Sequence, residues 1–239
     1  MFSTSVFSIS YILGFITILA ITLITLTILF KLGAAPFHNW SPDLYDSVPT
    51  HITAWMAIIV KVSILLFIAQ SSIVMILHHA GPLFIITGIL SLIVGAGGLS
   101  AQWRIKRFFA YSAISHLGFL LLAYASPQSG LDSFIYYLVI YGITSLGVFT
   151  ILCILDIYAI SPQSVPKSVP ITSSGVTFIN TFKTPKALAL IEQLAGLYVQ
   201  APVLAWSLSF ILLSFAGIPP MAGFFAKFSV LTSYLLHGF

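Results

Sequence analysis

Residues 30–38 read FKLGAAPFH, and they interrupt a stretch of sequence that is otherwise continuously apolar. Lys31, Gly33 and Pro36 fall within this stretch, which predicts a break in a membrane helix with a charge beside it. Inside a membrane, the backbone groups that such a break frees and the lysine ammonium must all find polar partners. We therefore interpret the stretch as part of a site that handles an ion.

The composition excludes a water-soluble domain. Of the 239 residues, 59% are hydrophobic and 6% are charged, with a mean hydropathy of +1.10, whereas a soluble domain carries about 25% charged residues. We predict an all-α, polytopic membrane helix bundle that forms a single integral membrane domain over residues 1–239. The sequence contains no pattern for nucleic-acid binding, a phosphate loop, a nucleophilic triad or a metal site, and Cys153 is its single cysteine.

Hydropathy predicts about six transmembrane helices, because a crossing helix needs roughly 20 apolar residues. Two of them are expected to be discontinuous: the first breaks at Gly33 and Pro36, and the last breaks at Gly217, Pro219 and Pro220. The predicted spans are residues 11–30 with a short second piece, 50–77, 82–99, 108–125, 134–157 and 202–236.

Three other stretches carry structural signals. Gly88, Gly95, Gly97 and Gly98 in the third span are small residues that let neighbouring helices approach closely. Residues 161–188 are rich in Ser, Pro, Thr and Lys, which predicts a polar surface loop. Residues 191–200 are interpreted as a short interfacial helix.

The basic residues are distributed asymmetrically between the predicted loops. Alternation of sides groups residues 38–49, 101–107 and 161–200 together. By the positive-inside rule this group faces the cytoplasm or the matrix, and Met1 starts on the opposite side. The group holds six of the nine basic residues, namely Arg104, Lys106, Arg107, Lys167, Lys183 and Lys186.

Lys31, Lys61 and Lys227 are the basic residues that lie within the predicted spans, and no acidic residue lies at comparable depth. A buried lysine without a carboxylate tends to lose its proton, which suits a relay. Alternatively, each charge is met by water or by an acid from another chain. Lys61 and Lys227 lie deep, which favours function, whereas Lys31 could also snorkel to the interface.

His116 and Lys106 have two interpretations each. His116 could be a packing histidine, or it could form a proton-hopping file with Ser112 and Ser115, which share its helix face. Lys106 could anchor the helix at the interface, together with Arg104 and Arg107, or it could form the mouth of a proton path. The same basic cluster is also a candidate site for lipids such as cardiolipin.

Three motifs carry a family resemblance: residues 31–50, residues 109–118 (FAYSAISHLG) and residues 217–228 (GIPPMAGFFAKF). In this order they resemble the antiporter-like membrane subunits of proton-pumping NADH:ubiquinone oxidoreductase, respiratory complex I, and most closely the subunit 2 type. The resemblance covers most of the chain, and it implies the seventh to twelfth helices of such a subunit.

The resemblance implies a role for each matching residue. Lys31 matches a lysine that pairs with a glutamate of an earlier helix, and Lys61 matches the central lysine. His116 matches the histidine that links the two halves, and Lys227 matches the lysine that faces the exit half-channel. Protons would move along this axis, driven by quinone reduction elsewhere. The chain itself would hold no cofactor, whereas the whole complex carries FMN, iron–sulfur clusters and ubiquinone.

The chain departs from the family pattern because the helix with the glutamate, and the final helices, have no counterpart in it. Three explanations are open: a second polypeptide supplies the missing helices, a truncated subunit acts as a structural spacer, or a neighbouring membrane-arm subunit supplies the carboxylate. Retention of the lysines favours a conducting subunit. A separate cation/proton antiporter is a further alternative. High hydrophobicity without a targeting peptide predicts the mitochondrial inner membrane, with the N-terminus on the intermembrane-space side.

Overall fold

A computed structural model describes residues 2–70, 80–126, 130–160, 190–195 and 197–237. The described residues are mainly helical, and five helices are long and apolar enough to cross a membrane. The helices are α1 (Phe2–Leu32), α2 (Trp40–Ser47), α3 (Thr50–Ala69), α4 (Gly81–Ser100), α5 (Ile105–Ala125), α6 (Gly130–Ile160), α7 (Leu197–Gln200), α8 (Pro202–Ala216) and α9 (Ala222–His237).

The predicted all-α polytopic bundle and both helix breaks are confirmed. The first break separates α1 from α2, and the second separates the shorter apolar helix α8 from α9. Within α3, a π-helical turn at Met56–Val60 leads directly into Lys61. The predicted loop at residues 161–188 lies outside the described residues.

The prediction of one interfacial helix over residues 191–200 is wrong in its continuity. A 3-10 turn at Ile191–Leu194 is followed by the single-turn helix α7 at Leu197–Gln200. The amide of Ile191 donates a hydrogen bond to the carbonyl oxygen of Trp103 (3.0 Å). This contact holds the segment against the start of α5 instead of letting it extend as a separate helix.

Helix α5 is the most buried of the five long helices, and it packs against α4 along much of its length. Small residues explain this close approach, as predicted for α4. A Cβ atom added at Gly95 would lie 2.6 Å from the amide nitrogen of Ser115, and one at Gly118 would lie 2.8 Å from the carbonyl oxygen of Gly88. The prediction does not hold at Gly97, where an added Cβ would meet nothing within 4 Å.

One end of the bundle carries a cluster of ion pairs between α2 and the start of α5. Arg104 pairs with Asp46, and Arg107 pairs with Asp43 at 2.6 Å. Together with the hydrogen bond between Ile191 and Trp103, these pairs bring α2, the start of α5 and the described residues 190–195 to the same end of the bundle.

The buried apolar side chains form two principal clusters. One is centred on α4, α5 and α6, and it includes the fully buried Phe84 and Phe134. The other cluster lies closer to the end of the bundle that carries the ion pairs, and it includes Phe109, Phe149 and Ile58. Phe215 of α8 packs against both clusters and therefore lies at the junction between the two halves of the core.

Candidate functional site

At the first break, Gly33 in the left-handed conformation and the indole of Trp40 cap the C-terminus of α1. Gly33 has a φ of 73°, which favours glycine at this position. The amide of Ala34 then donates back to the carbonyl oxygen of Leu29 (3.1 Å), as in a Schellman cap. The indole Nε1 of Trp40 donates to the carbonyl oxygen of Phe30 (3.1 Å). The uncharged side chain of Trp40 therefore provides a hydrogen-bond donor to a carbonyl oxygen in the last turn of α1.

Lys31 lies in the last turn of α1, and its side chain is exposed. Within the described part of the chain, no carboxylate forms an ion pair with it. Lys31 therefore has no acidic partner among these residues.

The second break places a lysine where the first places an indole. Gly217 has a φ of 78°, and its amide donates to the carbonyl oxygens of Leu213 and Ser214 (both 3.1 Å). The Nζ atom of Lys227 donates to the carbonyl oxygens of Phe215 (2.7 Å) and Ala216 (3.1 Å). The helix C-terminus, with its partial negative charge, is thus the partner of the Lys227 ammonium.

Lys61 is buried, with 3% of its surface exposed, and its Nζ atom lies 5.5 Å from the centre of the Tyr45 ring. Among the described residues, no side chain or backbone group forms a hydrogen bond with this Nζ atom. The hydroxyls of Tyr45 and Ser41 are also buried there, and their spacing places them on one face of α2, close enough to interact with each other. The buried Lys61 ammonium and two buried hydroxyls are therefore grouped at the first break.

His116 is buried in the middle of α5, and its Nδ1 atom lies 2.7 Å from the hydroxyl of Tyr137. The Phe215 ring lies 4.8 Å from the imidazole, centre to centre. Lys61 and Lys227 both lie within electrostatic range of His116. His116 is therefore close enough to both lysines for their charges to act on it.

The predicted hydroxyl file along α5 is only partly present. Ser112 and His116 border the same small cavity. Ser115 instead lies against the backbone of Gly95 on α4, because the serine and the histidine are neighbours in sequence and point about 100° apart around the helix. The expectation that Ser115 shares this file is therefore wrong.

Lys106 is half-buried, and its Nζ atom donates to the carbonyl oxygen of Val48 (2.7 Å). Asp46 and Asp156 lie near enough to interact with its charge. Asp156 also accepts a hydrogen bond from Thr50, the first residue of α3. The basic cluster therefore joins α2, α3 and α6 at one end of the bundle, and much of its charge is met by acids of this chain.

Four aromatic residues at the site were not predicted as site residues: Tyr45, Tyr137, Tyr141 and Phe215. Tyr137 and Tyr141 are spaced four residues apart in an apolar span, which is a signal for one polar helix face. Tyr45 lies in the quoted motif but carried no predicted role. Phe215 offered no signal, because a phenylalanine in a transmembrane helix is ordinary.

The fold and the geometry define a polytopic, all-α membrane protein with two capped helix breaks, a buried lysine and a buried histidine. No cluster of three potential metal ligands occurs among the described residues. The chain belongs to the family described as "NADH:quinone oxidoreductase/Mrp antiporter, TM", which matches residues 3–238.

Relatives of this family are similar over most of the chain. NADH-ubiquinone oxidoreductase chain 2 of Rhizopus oryzae is 40% identical over 89% of this chain and 38% of its own length. NADH-quinone oxidoreductase subunit N of a Wolbachia species is 34% identical over 93% of this chain and 43% of its own length. The chain therefore spans about two fifths of the length of the curated relatives that it matches.

Solved structures share the fold. A chain of respiratory complex I from Thermus thermophilus, solved with bound aureothin, matches with a TM-score of 0.66 and 26% identity, over 92% of this chain and 43% of that chain. A chain of the Mrp complex from a Dietzia species matches with a TM-score of 0.71 and 21% identity, over 92% of this chain and 37% of that chain. The second likeness concerns the fold alone.

Proposed function

We propose that this chain acts within a membrane-arm subunit of NADH:ubiquinone oxidoreductase and takes part in proton translocation. The proton path would run through Lys61, His116 and Lys227, and quinone reduction elsewhere in the complex would drive it. Family membership and the Rhizopus relative support the assignment to this complex. Other membrane-arm subunits would be the partners, and the mitochondrial inner membrane would be the location, with the N-terminus on the intermembrane-space side.

The burial of Lys61 carries this proposal. An ammonium that is almost fully buried, with the face of the Tyr45 ring beside it, is costly to maintain in a protein interior. A purely structural subunit has no use for such a group, because an apolar side chain would pack there more favourably. A role in exchanging protons with nearby water and hydroxyl groups would explain why a lysine occupies this buried position.

Lys227 and His116 would extend the path beyond Lys61. The ammonium of Lys227 can be charged without any carboxylate, because the carbonyl oxygens of Phe215 and Ala216 accept its hydrogen bonds. His116 lies within electrostatic range of both lysines and is hydrogen-bonded to Tyr137, and it would pass protons between them. Lys106, at the polar end, would form the mouth of the path.

Lys31 would take part only when a carboxylate from outside the described residues meets it. Its exposed position at the end of α1 leaves its ammonium accessible to a neighbouring subunit or a second polypeptide. Two other functions compete with proton translocation: a structural spacer within the same complex, and a subunit of a cation/proton antiporter. The family description, which names the Mrp antiporter beside NADH:quinone oxidoreductase, is the observation that favours the antiporter.

The test is Lys61→Met in the assembled complex, which removes the charge and keeps most of the side-chain volume. We expect loss of proton pumping and, because the steps are coupled, slower NADH oxidation. Lys61→Arg should retain part of the activity. Ile64→Ala, at a partly buried position one turn along α3, is the matched control for altered packing.

Each outcome separates the competing functions. Unchanged NADH oxidation and proton yield in Lys61→Met would identify the chain as a spacer. NADH-independent exchange of sodium or potassium for protons, measured with the purified protein in vesicles, would identify an antiporter. Loss of pumping in Ile64→Ala to the same extent as in Lys61→Met would attribute the effect to packing.

A further inference from the structure

Two serines at the end of the bundle remote from the ion pairs donate hydrogen bonds to the backbone of α9. The Ser126 hydroxyl donates to the carbonyl oxygen of Ser233 (3.1 Å), and the Ser133 hydroxyl donates to that of Ser229 (3.2 Å). Both donors are buried. Ser126 follows the last residue of α5, and Ser133 lies in the first turn of α6. The two neighbouring helices are therefore bonded to α9 at carbonyl groups one turn apart.

Many hydroxyl groups in the spans bond within their own helix instead. Thr25, Thr87 and Thr144 each donate to the carbonyl oxygen four residues earlier. Such a local bond satisfies a hydroxyl in apolar surroundings without any partner helix. Ser126 and Ser133 donate to a different helix, and both reach the same one. A carbonyl oxygen of a helix can accept this additional bond because it has two lone pairs. Bonds between helices oppose sliding of one helix along another, whereas local bonds do not.

The two bonds fix the position of α9 along the axis of α5, which we call the height of α9. Phe119 and Ser126 lie seven residues apart on α5, which is about 10 Å along the helix axis. Lys227 and Ser233 lie six residues apart on α9, which is about 9 Å. With Ser126 bonded to Ser233, Lys227 is therefore level with Phe119. In agreement, the Nζ atom of Lys227 lies 5.4 Å from the centre of the Phe119 ring.

The Lys227 ammonium has partners on two other helices. On α8 it donates to the carbonyl oxygens of Phe215 (2.7 Å) and Ala216 (3.1 Å), and on α5 it faces the Phe119 ring. Helix α9 packs more extensively against α6 than against α8. A displacement of α9 by one residue along its axis, about 1.5 Å, would change both sets of distances. The height of α9 therefore decides whether the ammonium meets both partners at once.

We propose that Ser126 and Ser133 are positioning residues, which hold α9 at the height where the Lys227 ammonium meets the end of α8 and the Phe119 ring together. They act on the lysine through the backbone of α9. The inference rests on the proposed function for its effect on proton yield, because Lys227 is part of the proposed path. Loss of one such hydrogen bond would shift the equilibrium between the bonded and the displaced helix about 2- to 13-fold. Loss of both would shift it further.

The first experiment measures protons pumped per NADH oxidised in Ser126→Ala, in Ser133→Ala and in the double variant, at matched levels of assembled complex. We expect a partial loss in each single variant and a greater loss in the double variant. Ser133→Thr keeps the hydroxyl and should retain the wild-type yield. Thr232→Ala is the matched control, because the Thr232 hydroxyl donates to carbonyl oxygens of α9 itself. Wild-type yield in the double variant, or an equal loss in Thr232→Ala, would overturn the inference.

The second experiment separates positioning of the lysine from packing of the helix. It is a double-mutant cycle between Ser133→Ala and Lys227→Met, measured as the apparent Tm of the purified complex. If the serine acts by holding the lysine against its partners, the two losses in Tm should be less than additive, because the height of α9 matters less once the ammonium is absent. Additive losses would make Ser133 a packing residue of α9 and would overturn the inference.

The outcomes distinguish this inference from the proposed function. Wild-type proton yield in the double serine variant, together with an altered yield in Lys61→Met, would overturn the inference and leave the proposed path intact. An unchanged yield in Lys61→Met would overturn the proposed function, and the Tm cycle would then decide the role of the serines. A structure of the double serine variant gives the same decision directly: we expect the Lys227 Nζ atom to leave the carbonyl oxygen of Phe215, and its retention there would contradict the inference. If the double variant does not assemble, the single variants decide.

Discussion

The two helix breaks use the same backbone device and different side chains. Each has a left-handed glycine, Gly33 in the first and Gly217 in the second. At the first break the indole of Trp40 occupies a terminal carbonyl oxygen, and Lys31 is exposed. At the second break the ammonium of Lys227 occupies the terminal carbonyl oxygens.

The difference shows that the carbonyl oxygens at a helix break can accept the hydrogen bonds of a nearby lysine. At the second break the exposed carbonyl groups and the helix dipole together provide the negative partner. At the first break the carbonyl oxygens of Leu29 and Phe30 already accept hydrogen bonds from Ala34 and Trp40. The two breaks are therefore similar in backbone geometry and different in electrostatics.

The largest expected effect comes from removal of the lysine at the second break. Lys227→Met leaves the carbonyl oxygens of Phe215 and Ala216 without a donor, and hydrogen bonds to charged groups contribute roughly 1.5–3 kcal/mol each. Lys31→Met should change stability by less than about 0.5 kcal/mol, since the side chain is exposed. The apparent Tm of the purified complex measures both. Equal shifts in the two variants would remove the electrostatic distinction between the breaks.

The next effect is expected from the glycines. Alanine in the left-handed conformation costs about 1–2 kcal/mol at either Gly33 or Gly217. At Gly217 the new Cβ would also lie 3.0 Å from the Cδ atom of Lys227, whereas at Gly33 it would lie 3.3 Å from the Cβ atom of Ser41. We therefore expect similar losses in Tm and a loss of proton yield that is greater for Gly217→Ala. A greater loss of yield for Gly33→Ala would reverse this assignment.

The sequence predicts the breaks well because their causes are local. Glycine and proline act on the backbone of their own turn, and the apolar spans follow from residue type alone. The contacts of the site depend on residues that are distant in sequence. Lys61 lies over Tyr45 and His116 meets Tyr137, 16 and 21 positions apart. Such pairs are set by helix packing, which hydropathy does not encode.

Trp40 and Ser115 illustrate the same limit. The indole of Trp40 reaches a carbonyl oxygen ten residues earlier, which requires the chain to turn back after Pro36. Ser115 was predicted to share a helix face with His116, yet the two residues point about 100° apart, and the close approach of Gly95 assigns Ser115 to the interface with α4. In both cases the structural role of the residue depends on a contact with another part of the chain, which its own residue type does not predict.

A smaller effect is expected from the indole at the first break. Trp40→Phe keeps the aromatic contact with Phe30 and removes the hydrogen bond to its carbonyl oxygen, which should cost about 0.5–1.5 kcal/mol. Proton yield per NADH should remain unchanged, because this cap holds no ionisable group. The apparent Tm and the proton yield are measured together. A loss of yield would indicate that the first break conducts protons as the second is proposed to do.

The smallest effects are expected from the ion pairs that hold α2 after the first break. Asp43 is largely exposed, with 72% of its side chain accessible, and it pairs with Arg107. Asp46 has 12% of its side chain accessible and lies near both Arg104 and Arg107. Exposed pairs contribute about 0–1 kcal/mol, so Asp43→Asn should be nearly silent and Asp46→Asn should lower the Tm measurably.

The same two variants test whether the position of α2 matters to Lys61. Tyr45 lies on α2 between the two aspartates, so loosening this helix should shift the ring that faces the Lys61 ammonium. We expect Asp46→Asn to lower proton pumping modestly and Asp43→Asn to leave it unchanged, at matched levels of assembled complex. A double-mutant cycle with Arg107→Ala separates the ion pair from other effects of the substitution. If Asp46→Asn lowers the Tm without changing pumping, the ion pairs only secure the first break and do not position Tyr45 for the site.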